Sequence, residues 1–243
     1  MEVHHHPDVH HKPQRWKEYL LEGLMIFIAV TMGFFAESVR ETITANKKEN
    51  EYVKSFVNDL SKDSLELRET IQENQHKLNG LDSLLKLADA DLSDMGNRRL
   101  LYKYAFQSIS FYSRFISNDA TMMQLKNSGG LQYIRRHNAA DSIARYDLEM
   151  RNIYAAETPY AKAISDALDA MSQLVVFNLK DSNSFKSDHL ILLTNDPVKM
   201  AVFFNKVSME RGWTENYVRN MSAEIPVVNR LRVFLKTKYN LDE

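Results

Sequence analysis

Apolar residues recur along this chain at alternating steps of four and three. Val53, Val57, Leu60, Ser64, Leu67, Ile71, Asn74, Leu78, Leu81 and Leu85 form one row, polar at Ser64 and Asn74 only. A second row runs through Ile143, Tyr146, Met150, Ile153, Glu157, Tyr160, Ile164, Ala167, Met171 and Leu174. A third, looser row takes in Phe203, Val207, Tyr217, Met221, Val228, Leu231 and Leu235. This period keeps its positions on one face of an α-helix, whereas strand-like alternation is sustained nowhere. The pattern predicts an all-α fold, an up-and-down bundle of long heptad-patterned helices over residues 40–243. A coiled-coil homodimer competes with it, because heptads do not say whose helix they face. Ser64 and Asn74 read as positions that select register or partner at some cost in stability, so Asn74→Leu is expected to stabilise an intramolecular bundle.

The punctuation agrees. No proline lies between Pro13 and Pro159, and between Gly33 and Gly129 the only glycines are Gly80 and Gly96. Asn195-Asp196-Pro197 reads as a helix cap with proline in the first turn, where its missing N–H costs nothing. Asn127-Ser128-Gly129-Gly130 reads as the end of a short helix begun near Asn118 or Asp119. Residues 178–194 are the expected long connection, Pro226 is expected to kink the last helix, and Pro159 to disrupt the second row beside Glu157. Between the first two rows Tyr102, Tyr104, Phe106, Phe111, Tyr112 and Phe115 fall on one broad helical face, expected to pack in the core rather than to form a ligand cage.

Near the start the hydrophobic pattern changes kind. Tyr19 to Val39 reads YLLEGLMIFIAVTMGFFAESV, uncharged from Leu24 to Ala36. As a helix it covers about 30 Å, the thickness of a bilayer's hydrocarbon. Glu22 stands near one end, and Trp16 and Tyr19 sit where interfacial aromatics belong. Phe34-Phe35-Ala36-Glu37 lacks the small-residue pattern of a cleavage site, so residues 19–39 are predicted to be an uncleaved transmembrane helix. Lys12, Arg15 and Lys17 precede it more tightly than Arg40, Lys47 and Lys48 follow it. The expected topology leaves residues 1–18 in the cytoplasm and exports the domain.

The 243 residues contain no cysteine, which excludes disulfides and thiolate chemistry, and their net charge of -1 provides no basic field for nucleic acid. Charge separates along the chain. Residues 40–96 carry 8 basic and 12 acidic side chains, residues 197–243 carry 8 and 5, so first and last helices would complement one another weakly.

One stretch resembles a known family. The run EYLLEGLMIFIAVTMGFFAESVRETITANKKENEYVKSFVNDLSKD is similar to the amino-terminal signature of a family of single-pass bacterial membrane proteins of unknown function. The matching parts are Glu22 in the apolar span, the polar run from Glu37, Glu51-Tyr52-Val53 and Asp59-Leu60-Ser61-Lys62-Asp63. Thr121 to Leu131 resembles the family's Thr…Leu…Ser-Gly turn. Ala36-Glu37-Ser38-Val39-Arg40 replaces the family's asparagine- and tryptophan-containing segment, which marks a divergent branch. The resemblance implies a membrane-anchored helical domain in a Gram-negative envelope; joined to the topology expected from the basic residues, it gives the inner membrane, N-terminus cytoplasmic and domain periplasmic. It brings no catalytic residues with it.

Candidate chemistry is sparse. His4, His5, His6, His10 and His11, with Asp8, crowd the tail, and imidazoles at that density bind Zn, Ni or Cu. The run lacks preorganisation, and incidental affinity of a flexible tail is the plainer reading. His76, His137 and His189 show no ligand spacing. No phosphate-cradling glycine loop or local nucleophile–base pattern is present, so a non-enzyme without a cofactor is expected. Glu157 is the single residue of most interest, a carboxylate on an apolar row that would need an Arg or Tyr partner if buried and could then mark a small ligand pocket; the plainer reading is that the Pro159 kink turns it to solvent. The expected function is an envelope interaction or scaffold module, with the lipid bilayer and a protein partner or second copy as its contacts. A ligand-sensing bundle acting through a membrane partner, and metal binding through the tail, are the alternatives.

Overall fold

A computed structural model describes residues 16–176 and 190–241. Five α-helices occur among them: α1 Trp16–Leu85, α2 Met95–Tyr104, α3 Ala120–Asn127, α4 Ala139–Ser172 and α5 Pro197–Tyr239. Extended pairing among the described residues is limited to one antiparallel bridge, Val175 to Leu192. The chain divides within α1 into two compact units, Met1–Asn50 and Glu51–Glu243.

In the first unit the described residues are helical and their large apolar side chains stand exposed: Phe27 at 66%, Phe34 at 74% and Phe35 at 71%. Thr31, the one polar member of the uncharged core, turns its hydroxyl back onto the Phe27 carbonyl at 2.7 Å, leaving no unmet polar group. Glu37 and Arg40 pair at the far end.

In the second unit the apolar rows are buried. Val53, Val57, Leu60, Leu67, Leu78 and Leu81 of α1 are inside, as are Ile143 to Met171 of the α4 row with Glu157 half-buried, and all seven apolar residues named on α5. They form two clusters. One joins Val53 to Leu67 with α3, α4 from Ala139 to Ile164 and α5 from Tyr217 to Tyr239. The other joins Leu81 and Leu84 with α2, the last turns of α4 and Phe203 to Val207 of α5.

Ends follow their local chemistry. Asp196 accepts from the Val198 N–H at 2.8 Å with Pro197 behind it, and Asp94 does the same for Asn97 at 2.9 Å. After α3, Gly129 takes the left-handed conformation (φ 66°) that stops the helix. Helix α4 continues through Pro159 to Ser172, so the disruption expected there does not end it, and Pro226 lies inside α5 as expected. One expectation fails here. The aromatic stretch is not one helical face. α2 passes into a π-helical turn at Ala105–Ile109, and residues 111–119 are without regular structure. Tyr102 and Phe115 are buried there, whereas Phe111 and Tyr112 are exposed. Of the connection expected at 178–194, residues 178–189 lie outside the described residues.

Candidate functional site

A second set of buried positions lies one residue before the apolar row on α1. Phe56, Asp63, Thr70, Lys77 and Leu84 are seven apart and each is at most 2% exposed. With Asp59 and Asn74 they put five polar side chains on the buried side of one helix, where each must find a partner.

The partners come from the segment between α2 and α3. Lys77 Nζ donates to the Phe111 carbonyl at 2.7 Å, and Asn74 Nδ2 donates to the Ser113 carbonyl at 3.1 Å. The Asn118 N–H donates to Asp63 Oδ1 at 2.6 Å, and the Thr121 N–H to Asp59 Oδ2 at 3.1 Å. Tyrosines hold the other side: the Phe115 N–H donates to the Tyr217 hydroxyl and the Ser117 N–H to that of Tyr154, each at 3.0 Å. As the segment advances from Phe111 to Thr121, its partners on α1 retreat from Lys77 to Asp59, so it runs antiparallel to α1. An irregular segment cannot satisfy its own backbone. These side chains replace the helical ladder, which is why the aromatic stretch leaves the helix where it does.

At the centre of this arrangement is a buried ion pair. Lys77 Nζ lies 2.8 Å from Glu210 Oε1, and neither side chain touches solvent. Beyond the Lys77 ammonium, neither Glu210 oxygen has a partner among the described residues. The Lys77 ammonium also sits 5.0 Å from the centre of the Tyr160 ring, which stacks on Tyr217 at 4.9 Å. Burial raises the Glu210 carboxyl to about 7 against the pull of Lys77, and lowers the Lys77 ammonium against the pull of Glu210. Burial raises Asp63 too, despite hydrogen bonds from Asn118 and from the Tyr146 hydroxyl.

Glu157 is half-buried, with the partners its position on the row called for: the Tyr112 hydroxyl donates to it, and Arg114 Nη1 lies 3.5 Å away. Burial, then Glu157, push the Tyr112 hydroxyl up to about 12. Glu157 does not line either of the two clefts beside Tyr146. The other expected positions stay apart. His76 and His137 are exposed on different elements, and among the described residues no three His, Asp or Glu side chains are grouped to hold a metal ion. His4, His5, His6, Asp8, His10, His11 and His189 lie outside the described residues.

Two clefts flank Tyr146. One, of about 350 Å³, lies between α4 and α5 and is lined by Arg145, Glu149, Glu224 and Arg230 among others. The other, of about 170 Å³, is lined by Asp63, Asn118, Lys126 and Asp147 among others. Sequence reasoning missed Lys77, Glu210 and Glu224. The α5 row carried a signal for two of the gaps: Val207, Glu210, Thr214 and Tyr217 keep the same three-and-four spacing, so Glu210 and Thr214 fill positions that the apolar residues leave open.

No family model, curated protein or solved structure matches this chain.

Proposed function

We propose that this chain is a membrane-anchored helical interaction module of a bacterial envelope. In this reading residues 19–39 span the inner membrane, the tail is cytoplasmic, and the periplasmic domain acts by contact with a protein partner or a second copy. The domain is an up-and-down bundle on heptad seams whose second leg is built from α2, the irregular segment and α3.

One observation carries the reading: the apolar side chains of Tyr19–Val39 are exposed throughout, whereas from Val53 onward the apolar rows are gathered into two cores. Exposed apolar surface of that extent calls for a cover, and bilayer hydrocarbon fits a stretch of this length and composition. Work by contact is supported by the polar residues buried in α1. Asp59, Asp63, Asn74 and Lys77 are occupied with the chain's own backbone, which leaves them structural rather than reactive.

Alkaline carbonate extraction of native membranes tests the anchor. The full chain should stay with the pellet, and Ile28→Arg, which costs about 2.5–3.5 kcal/mol at a helix centre, should shift it toward the supernatant. Extraction of the unmodified chain would overturn the reading. A periplasmic reporter fused after Glu243 should be active, and crosslinking in native membranes should capture a specific protein or a second copy.

A further inference from the structure

The larger cleft, about 350 Å³ between α4 and α5, is within the size range of small-molecule sites. At about 30 Å³ per water-sized group it has room for a ligand of roughly a dozen heavy atoms. Its walls carry both signs of charge. Glu149 comes from α4 and Glu224 from α5, and Glu224 Oε2 is buried with no hydrogen-bond partner among the described residues. Such an atom calls for a donor, because an unmet buried acceptor is costly. Burial and then the neighbouring Glu149 push the Glu224 carboxyl upward, while Arg230 acts in the opposite sense. Arg145 and Arg230 also line the cleft, neither with a carboxylate at ion-pair distance among the described residues. Leu231 and Phe234 supply an apolar wall.

We infer that this cleft binds a small zwitterion, an α-amino acid with an apolar side chain. Its ammonium donates to Glu224 Oε2 with Glu149 alongside, its carboxylate meets the Arg145 and Arg230 guanidiniums, and its side chain lies against Leu231 and Phe234. A simple amine would leave both guanidiniums unmatched. A simple anion would leave Glu224 Oε2 without a donor and face two carboxylates. The zwitterion answers all four groups at once. The site lies wholly within residues 51–243, goes beyond the anchored-module reading and does not rest on it.

Calorimetric titration of the full chain in detergent micelles tests it, with L-phenylalanine, L-leucine, phenethylamine and 3-phenylpropionate as probes. Both amino acids should bind saturably, and each single-charge analogue at least about tenfold more weakly than L-phenylalanine, the size of one charge-assisted hydrogen bond. Glu224→Gln should weaken L-phenylalanine by a similar factor while melting like the parent, because Oε2 gives up no hydrogen bond. No saturable heat from either amino acid up to about 10 mM, the weak end of ligand affinity, would overturn the assignment. So would phenethylamine or 3-phenylpropionate binding as tightly as L-phenylalanine on the unmodified protein, which would make the cleft a cation or an anion site. Unchanged affinity in a folded Glu224→Gln protein would overturn it as well.

Discussion

Lys77 and Glu210, 133 positions apart, meet at 2.8 Å where neither side chain reaches solvent. Both charges have been taken from water, and their attraction only partly offsets that cost. The lysine does more than pair. Its contact with the Phe111 carbonyl ties α1 to the irregular segment, so one ammonium joins three parts of the fold.

Removing one partner should therefore cost far more than removing both. Lys77→Met leaves Glu210 buried without its cation and should lose about 3–5 kcal/mol in urea denaturation. Lys77→Met with Glu210→Leu should recover most of that loss, the remainder reflecting the Phe111 carbonyl left without a donor. A double variant as unstable as the single would show that the unpaired charge is not the cause.

The pair also sets a pH dependence. Glu210 is raised from 4.5 to about 7, so between those values the folded chain holds a proton that the unfolded chain has released. The group's contribution is fully present below 4.5 and is lost as pH rises through about 7, a fall on the order of a few kcal/mol. Lys77, lowered, works in the opposite direction at alkaline pH. Glu210→Gln has no such titration, so denaturation midpoints of parent and variant should separate in the variant's favour from about pH 5 to about pH 8. Parallel profiles across that range would contradict the raised carboxyl.

The rows that placed the helices were legible because burial and apolar character coincide at Val53, Leu60, Ile143, Tyr217 and their neighbours. The cap at Asp196 and the stop at Gly129 were legible because a single residue carries each. Lys77 and Asp63 were not, because a charge on a helix ordinarily marks the solvent face and nothing local announces a partner 34 or 55 positions away. The irregular course of residues 111–119 was hidden for the same reason. Its aromatics suit a helical face, and it departs from one only because distant side chains satisfy its backbone. Glu157 stood out by its place on the row, but nothing in the sequence pointed to Tyr112 or Arg114 as the side chains that reach it.

Gly80 gives a test of how closely α1 and the π-helical turn approach. A Cβ there would lie 1.9 Å from Ser108 Oγ and 3.1 Å from Ser108 Cβ. On helix propensity alone, Gly80→Ala should stabilise by about 0.8–1 kcal/mol. Here it should instead lower the melting temperature, and Ser108→Gly in the same chain should restore part of the loss. A higher melting temperature for Gly80→Ala alone would mean that the turn can give way.

Asn74 decides between two views of α1. As a polar interruption of an apolar row it would weaken the bundle, and leucine would stabilise it. The contacts argue the reverse. Its Nδ2 donates to the Thr70 carbonyl at 2.9 Å and the Ser113 carbonyl at 3.1 Å, and its Oδ1 accepts from the Tyr160 hydroxyl at 2.7 Å. Asn74→Leu leaves the Ser113 carbonyl and the Tyr160 hydroxyl buried without these partners, at about 1–3 kcal/mol for each group. The loss should be local as well as global. Amide exchange at Phe115, Ser117 and Asn118 should accelerate more than at Ile143 or Val228, because the segment loses an anchor while the apolar clusters stay filled. Greater stability in Asn74→Leu, with those amides still protected, would restore the view that this asparagine is a destabilising polar interruption of the row.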